Sequence, residues 1–329
     1  MSNGFWDKLE KPFFVLAPMA DVTDAAFRRM FAKYGKPDVT WTEFVSADGL
    51  CSPGREALLR DLLYSEEERP IVAQIFGSRP ENIERVSTLI AELGFDGIDI
   101  NMGCPDRSIE KQGAGAAMIK NPQLAQEVIL SAKQGSKGLP VSVKTRVGYN
   151  RIEIDEWIPK ILETKPAALT IHARTRKEMS EVPARWEHVR EVVEMAKGTG
   201  TLIIGNGDVG DMKDARERVR ESGADGVMIG RSVFGNPWYF NEDIDHSNIP
   251  LPERFRVMLE HTKLFLDILG DAKNFAVMKK HYKAYVNGFD GAKELRVQLM
   301  EANTIEEIEQ AVDEFLARYS IAARGNRAV

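Results

Sequence analysis

The amino-acid sequence predicts an α/β fold, in which an N-terminal (β/α)8 barrel, the TIM-barrel arrangement, precedes a C-terminal helical bundle. Eight short apolar segments alternate with helix-like segments between residues 13 and 240. After residue 250 only helical periodicity remains. The length of 329 residues suffices for one large domain and a smaller one, and the 43% of apolar residues can fill both cores.

The eight apolar segments are the predicted strands of the barrel. They are rich in Val, Ile, Thr and Phe, they are too short for amphipathic helices, and Gly, Pro or Asp flanks several of them, as in buried parallel strands. An open doubly wound sheet is the alternative, but it needs no eight units and usually carries a phosphate loop after its first strand, which this sequence lacks. The predicted strands cover residues 13–19, 39–46, 70–77, 97–104, 140–148, 168–175, 201–208 and 225–232.

Helix-like segments separate these strands. Residues 80–94 place apolar side chains at helical spacing. Residues 121–135 begin with Asn121 and Pro122 and end at Gly135, in keeping with the preferences for an N-cap, a first helical residue and the position after a helix. Strand and helix therefore alternate as a barrel requires.

The barrel pattern stops near residue 240. Residues 241–252 are polar and carry two prolines, which indicates a linker. Four helix candidates follow, the last of which starts at Thr304, with Glu307 completing a capping box. The predicted organisation is a barrel over 1–242, a helical domain over 250–320 and a disordered tail over 321–329.

Composition excludes several classes of protein. The 44 Lys+Arg and 50 Asp+Glu give a net charge of −6, which excludes nucleic-acid binding by overall basicity but leaves a local basic groove possible. The two cysteines, Cys51 and Cys104, and five scattered histidines predict neither a disulfide framework nor a metal site. The start resembles no secretory signal, and no apolar run approaches about 20 residues. We therefore expect a cytoplasmic protein with no membrane segment and no obligate protein partner.

Polar residues at the carboxyl ends of the predicted strands are the first candidates for function, because barrel enzymes build their sites there. Six of the eight strand ends are polar or charged, although strands also become polar where they simply meet solvent. In chain order the eight strand-end residues are Met19, Glu43, Gln74, Asn101, Lys144, His172, Asn206 and Gly230.

The last two strands end in glycine-containing segments that suit an anion. Glycine lets backbone N–H groups approach closely, and barrels often bind phosphate after strands seven and eight. The alternative to a phosphate site is that these segments are two ordinary turns. GAGAAM at 113–118 departs from the dinucleotide-binding motif G-x-G-x-x-G, so the sequence predicts no dinucleotide-binding fold, and any nicotinamide cofactor must dock transiently. The candidate phosphate ligands are Gly205, Asn206, Gly207, Gly230 and Arg231.

Lys144 and Cys104 are the candidates for chemistry. Alternation puts Lys144 and Arg146 on one side of a strand, and an inward lysine needs an anionic partner, either a reduced isoalloxazine ring or a carboxylate such as Glu43 or Asp99. Cys104 lies in a rigid Gly-Cys-Pro turn, where its thiol could serve as a general acid, as a nucleophile or only as a small buried side chain. His172 could contact a ligand or could be a core histidine with its hydrogen bonds satisfied, and the sequence favours neither role.

Several motifs together resemble the dihydrouridine synthase family, and the resemblance extends over nearly the whole chain. DINMGCP in this setting is highly specific, and the C-terminal motif is similar to the helical domain of the family. In chain order the motifs are LAPMADVTDAAFR (16–28), DINMGCP (99–105), SVKTRVGY (142–149), TIHARTR (170–176), IGNGDV (204–209), GADGVMIGRSVFGNPWYF (223–240) and MKKHYKAYVNGFDGAKELR (278–296).

The resemblance implies an oxidoreductase that binds FMN at the top of the barrel. Such an enzyme uses NADPH or NADH to reduce the flavin and then saturates the C5–C6 bond of specific uridines, usually in tRNA, with Cys104 as the proton donor. Asn101, Arg146 and Arg174 become the candidates for substrate contact. The implied cofactor-binding residues are Pro18, Met19, Ala20, Gln74, Lys144, His172, Asn206, Gly207, Asp208, Gly230 and Arg231.

A uridine in folded RNA must leave its stack to reach the flavin, so a basic track should hold the RNA backbone. Residues 271–296 are locally basic, and Arg174, Arg176, Lys177 and Arg185 form a second basic cluster. Three alternatives remain open at this point: reduction of a free pyrimidine of the dihydroorotate type, modification of rRNA, and RNA binding by a flavin fold without turnover.

Overall fold

The computed structural model describes the backbone of residues 3–325 and, apart from 247 and 320–325, their side chains. The chain divides into two compact units. The barrel unit contains the described residues up to Asp24 together with Lys36–Ser232, and the helical unit contains Ala25–Gly35 and the described residues from Val233 onward.

The barrel unit is built on nine strands whose pairings are all parallel, in the order β1-β9-β8-β7-β6-β5-β4-β2, with β3 beside β4. Leu16 N–H donates to the Val39 carbonyl at 3.2 Å and Asp38 N–H to the Phe14 carbonyl at 2.9 Å, so backbone bonds also join β1 to the segment leading into β2. The predicted (β/α)8 barrel is confirmed. The strands are β1 (Phe13–Leu16), β2 (Thr40–Trp41), β3 (Val45–Ser46), β4 (Ile71–Phe76), β5 (Gly97–Met102), β6 (Val141–Arg146), β7 (Ala168–His172), β8 (Leu202–Asn206) and β9 (Gly226–Ile229).

The second predicted strand, 39–46, is two short strands. Between them, Thr42 Oγ1 accepts a hydrogen bond from Gln74 N–H at 3.1 Å, in a place where a backbone carbonyl would otherwise accept it. The hydroxyl in turn donates to the carbonyl of Glu43 at 2.8 Å. A side chain thus interrupts the ladder, and β2 and β3 share one position in the barrel.

Thirteen α-helices are assigned among the described residues. In the barrel unit, Asn121 caps α6 as predicted, with Oδ1 accepting from Leu124 N–H at 3.2 Å. Gly135 is the last residue of α6, whereas the sequence pattern predicted it to be the residue after the helix. Glycine is required at this position because a Cβ there would lie 2.1 Å from the carbonyl oxygen of Glu84 on α4. The helices are α1 (Ala25–Tyr34), α2 (Ala47–Leu50), α3 (Arg55–Leu59), α4 (Pro80–Glu92), α5 (Arg107–Glu110), α6 (Pro122–Gly135), α7 (Ile154–Glu163), α8 (Glu187–Ala196), α9 (Met212–Ser222), α10 (Leu251–Leu269), α11 (Lys279–Tyr285), α12 (Ala292–Glu301) and α13 (Ile305–Gly325).

The interior of the barrel changes from apolar to polar along the strands. Trp6, from a short helical turn at Gly4–Lys8, packs against the rings of Phe13 and Trp41 at centroid distances of 5.7 and 6.0 Å. Nearer the carboxyl ends the buried side chains are polar. This layer contains Gln74, Asp99, Asn101, Ser142, Thr170 and Asn206.

The helical unit contains α10–α13 and also α1, which the sequence pattern assigned to the barrel. Tyr34 at the end of α1 donates to Glu260 of α10 at 2.6 Å. At the last helix, Thr304 Oγ1 accepts from Glu307 N–H, but the Glu307 carboxylate accepts from Asn303 and not from Thr304, so half of the capping box is present.

Helix α13 extends into the segment 321–329, which we expected to be a disordered tail, and residues 326–329 lie outside the described residues. Among the described helices, none combines the length and apolar character needed to cross a membrane.

Gly205→Ala tests how closely β8 packs against Trp186. The added Cβ would lie 2.2 Å from Cζ3 of Trp186, a distance that forces the ring or the strand to shift. We expect a loss of about 1–3 kcal/mol in the free energy of unfolding, measured by thermal and urea denaturation. Gly54→Ala is the matched control, since the nearest atom to its added Cβ lies 3.5 Å away. Equal stabilities of the Gly205 variant and the wild type would contradict this packing.

Candidate functional site

A cavity of about 710 Å³ opens at the carboxyl ends of β1, β6, β7, β8 and β9. Ten of the predicted site residues line it together, although they come from five separate strands. Its walls combine apolar groups with three cationic side chains. The lining residues are Ala17, Pro18, Met19, Lys144, His172, Arg174, Ser180, Asn206, Gly207, Asp208, Val209, Gly210, Met228, Gly230, Arg231 and Ser232.

The other predicted residues lie outside this lining. Ala20 is exposed. Gln74, Asn101 and Arg146 are buried and have hydrogen-bond partners within the protein, and Cys104 is half-buried in the turn after β5. The structure therefore brings together the predicted anion site and Lys144, and it places the other candidates in the supporting layer or the adjacent turn.

The loops after β8 and β9 form one end of the cavity. Gly207 has φ +128°, a conformation that favours glycine, and a Cβ there would lie 2.8 Å from Ala184 Cβ. At Gly230, by contrast, an added Cβ would lie 3.6 Å from both Ala17 Cβ and Met19 Sδ. Backbone is thus exposed to the cavity at two consecutive strand ends, as an anion site requires.

Ser232 is a residue that the sequence reasoning missed. Its Oγ is buried and has no hydrogen-bond partner among the described residues, yet the residue lines the cavity. Buried hydroxyls are normally satisfied, so this group is available to a ligand. The signal in the sequence was its position, two residues after Gly230 at the end of the last strand.

Asp208 organises two arginines. Its carboxylate accepts from Arg174 Nη2, from Arg231 Nη2 at 2.8 Å and from the N–H of Ala184 at 2.9 Å. The hydrogen bond from Arg174 is the main reason that the pKa of Asp208 lies below its usual range. As an ionised carboxylate it cannot itself attract a phosphate, but it orients Arg231, whose side chain remains 63% exposed.

His172 is a neutral imidazole at the cavity wall. Arg174 Nη1 lies 3.0 Å from its Nε2, and because a guanidinium only donates, Nε2 is the acceptor. Burial, reinforced by the positive charges of Lys144, Arg146 and Arg174, holds the pKa of His172 well below its ordinary value. The ring is thus held by a partner within the protein and also lines the cavity, and its contact with a ligand stays a prediction.

Lys144 is hydrogen-bonded to a neutral amide. Its Nζ donates to Asn206 Oδ1 at 3.2 Å, and Asn206 Nδ2 donates to the carbonyl of Met228 at 2.8 Å. Burial is the main reason that the pKa of Lys144 falls to about 8; Arg146 adds to the decrease and Asp99 opposes it. A cationic Lys144 in this position is poorly neutralised by its direct partner and favours an anion in the cavity.

Cys104 is held in a rigid turn. Its carbonyl accepts from Ala116 N–H at 2.9 Å, and Gly115, at φ +59°, must be glycine because a Cβ would lie 2.7 Å from that carbonyl oxygen. The side chain packs against an apolar cluster that includes Phe76 and Ile109. Burial raises the pKa of the thiol, so Cys104 is protonated at neutral pH and can donate a proton.

Two cations lie close enough to Cys104 to affect its ionisation. Arg146 and Lys144 both oppose the increase in the thiol pKa. Arg146 is itself fixed by the protein, because it donates to the carbonyls of Gly103 at 2.8 Å, Met179 at 3.0 Å and Thr175 at 3.1 Å. It therefore ties the Cys104 turn to the loop after β7, and its positive charge stays beside the sulfur.

The two predicted basic clusters differ. In the loop after β7, Arg174 is paired with Asp208, Arg176 with Glu110 and Arg185 with Glu178, so most of that cluster is neutralised. In the helical unit, the basic residues Lys280, Lys283 and Lys293 are exposed. Within the described part of the chain, no three His, Cys, Asp or Glu side chains come together in a way that could hold a metal ion.

Comparison with known proteins identifies clear relatives. Residues 15–320 match the protein family described as dihydrouridine synthase. The protein of Bacillus subtilis (strain 168) named probable tRNA-dihydrouridine synthase 2 is 42% identical, over 97% of this chain and 98% of its own length. A probable tRNA-dihydrouridine synthase of Staphylococcus aureus (strain COL) is also 42% identical, over 97% of both chains. Among solved structures, the old yellow enzyme homologue from Zymomonas mobilis is similar with a TM-score of 0.46 and 14% identity, covering 68% of this chain and 86% of its own.

Lys144→Met tests the electrostatic link between the cavity and the thiol. Removal of a positive charge that stabilises the thiolate should raise the pKa of Cys104 further above its usual value. The pH dependence of alkylation, followed by mass spectrometry of the Cys104 peptide, measures that pKa. The Cys51 peptide is the internal reference, and its alkylation should not change. An unchanged or lowered pKa of Cys104 would contradict the link.

Proposed function

The chain belongs to the dihydrouridine synthase family, and on that premise we propose that it reduces the C5–C6 double bond of specific uridines in tRNA to 5,6-dihydrouridine. One observation carries this proposal: a thiol that is protonated at neutral pH is held in a rigid turn, within reach of the charge of a lysine that lines a large strand-end cavity. That combination suits an enzyme that must give a proton to a carbon beside a bound cofactor.

The cavity residues fit a flavin mononucleotide. Pro18, Met19 and Met228 offer apolar surface for a planar ring, and Lys144 would stabilise negative charge on that ring. At the opposite end, the unsatisfied Oγ of Ser232 and the cation of Arg231 suit a phosphate. Flavin mononucleotide bound here, once reduced by NADPH or NADH, would supply the hydride.

The remaining predicted cofactor residues support this arrangement in different ways. Gly207 and Gly230 leave room for the ligand beside the backbone, and Asp208 orients Arg231. Asn206 holds Lys144, and the neutral ring of His172 adds no charge to the site. Gln74 and Ala20 lie outside the cavity lining, and Gln74 would act through its hydrogen bonds to Asp99 and Asn101.

Cys104 would complete the reaction by general acid catalysis. As the hydride reaches carbon 6 of the uracil, the S–H bond of Cys104 breaks and its proton is transferred to carbon 5. The uracil gains two electrons and two hydrogens, and a thiolate remains. Lys144 and Arg146 stabilise that thiolate until water returns its proton. Asn101 positions the Cys104 turn through its side chain.

Transfer RNA is the substrate that the relatives and the surface favour. The similar proteins of Bacillus and Staphylococcus carry tRNA in their names. The exposed lysines of the helical unit, such as Lys280, Lys283 and Lys293, suit an RNA backbone and have no evident use for a free pyrimidine. The target uridine would be flipped out of its stack, and the reaction would take place in the cytoplasm.

Cys104→Ala should separate cofactor binding from product formation. The variant should keep its flavin, while the rate of dihydrouridine formation on unmodified tRNA falls about 10²- to 10⁴-fold, because the general acid is lost. Mass spectrometry of digested tRNA after single turnovers measures the product. Cys51→Ala is the matched control and should retain full activity, since Cys51 is an exposed residue outside the cavity lining. Normal turnover by the Cys104 variant would refute the assignment of the proton donor.

Gly230→Ala should weaken cofactor binding without unfolding the protein. The added methyl would meet Ala17 and Met19 at ordinary contact distance, but it would occupy space between residues that line the cavity. We expect the Kd for FMN to rise about tenfold or more, equivalent to about 1.4 kcal/mol. Fluorescence titration of the flavin-free protein measures this affinity, with Gly54→Ala as the control. Unchanged affinity would place the flavin elsewhere.

A further inference from the structure

A chain of side-chain hydrogen bonds runs from a buried carboxylate to the turn that carries Cys104. Gln74 Nε2 donates to Asp99 Oδ2 at 2.6 Å, and Asn101 Nδ2 donates to Gln74 Oε1 at 3.0 Å. Asn101 Oδ1 then accepts from the N–H groups of Gly103 at 3.1 Å and Cys104 at 2.9 Å. We call Asp99, Gln74 and Asn101 the amide relay. All three side chains are buried.

Asp99 fixes which atom of each amide in the amide relay donates and which accepts. An ionised carboxylate only accepts, so Gln74 must present its NH2 group to Asp99. The carbonyl oxygen of Gln74 then faces Asn101, so Asn101 must donate to that oxygen from its own NH2 group. As a result, the oxygen of Asn101 is the atom that faces the turn, where two backbone N–H groups need an acceptor. Reversing either amide would place two acceptors or two donors against each other in a buried site.

We propose that Asp99 is a positioning residue for Cys104, which it holds in place through Gln74 and Asn101. This inference rests on the proposed function for its importance, because a proton donor misplaced by about 1 Å can lose about a hundredfold in rate. Within the amide relay it is Asn101 that bonds to the turn, so Asp99 acts on the thiol through its neighbours.

The ionisation of Asp99 agrees with this role. Burial raises its pKa to about 6, and hydrogen bonds from Ser142 and Gln74 limit the increase. Above that pH the carboxylate accepts from both neighbours and the direction of the amide relay is unique. As the pH falls through that value, the protonated carboxyl can also donate, and Gln74 is no longer held in one orientation.

A swap of two side chains tests the proposal. In Asn101→Asp, a new carboxylate faces Gln74 from one side while Asp99 faces it from the other, so Gln74 can satisfy only one of them. In the double variant Asp99→Asn with Asn101→Asp, the new amide at position 99 donates to Gln74, and Gln74 donates to the new carboxylate at position 101. That carboxylate still accepts from the turn. The bonds of the amide relay are restored in the reverse direction, and the thiol should return to its place.

Peptide-level alkylation by iodoacetamide, measured over a range of pH and compared at the plateau where the thiol is fully ionised, separates the exposure of Cys104 from its pKa without any need for turnover. Cys51 is the internal reference. We expect the ratio of Cys104 to Cys51 alkylation to rise about threefold or more in Asn101→Asp as the turn opens, and to return to within about twofold of wild type in the double variant. Asp99→Asn alone should give an intermediate ratio, because its amide can either accept from Gln74 or donate to it and so no longer fixes the orientation of Gln74.

Ser142→Ala is the matched control. It removes the other hydrogen bond to Asp99, at 2.6 Å, but leaves the amide relay intact, so it should not change the alkylation ratio. If Asn101→Asp does not fold, Gln74→Leu interrupts the amide relay without adding charge and should give the same rise.

The proposal is wrong if breaking the amide relay leaves the alkylation of Cys104 unchanged, if Cys104 in the double variant is as reactive as in Asn101→Asp, or if Ser142→Ala has the same effect. Failure of wild-type protein to form dihydrouridine would overturn the proposed function and leave this alkylation result intact.

Discussion

The burial of polar groups at the carboxyl ends of the barrel strands is the constraint on which the site depends. A charge or an amide that has left water must find partners within the protein, and the cost of leaving it unpaired is several times the gain of one hydrogen bond. Asp99 meets this requirement through Ser142 and Gln74. Lys144 meets it only in part, through one neutral amide. The polar layer is therefore rigid on the side of Asp99 and open to an anion on the side of Lys144.

Charge around the cavity is organised by the same constraint. Arg174 and Arg231 share the single carboxylate of Asp208, so an excess of positive charge remains at the end where Ser232 lacks a partner among the described residues. Arg146 donates its hydrogen bonds to three carbonyls and keeps its charge beside Cys104. Cations held by the protein itself can stabilise an anion in the cavity and a thiolate at Cys104 without having to move.

Sequence reasoning succeeded where one local rule controls the outcome. Apolar segments of suitable length became parallel strands, and alternation along one of them put Lys144 on the inner side, where it lines the cavity. It failed where a distant contact decided the result. Gly135 is required by the backbone of α4, the strand over 39–46 is split by the hydroxyl of Thr42, and α1 belongs to the helical unit.

The sequence by itself determined the barrel, the family and the set of residues that meet at its strand ends, because periodicity and motif spacing are local properties of the chain. Only the tertiary structure decided which of those residues face the cavity and which support them. The direction of the relay from Asp99, the pairing of Asp208 with two arginines and the unsatisfied hydroxyl of Ser232 all depend on partners from separate strands and loops. Hydrogen-bond direction and the balance of buried charge are properties of neighbours in space, which no local pattern specifies.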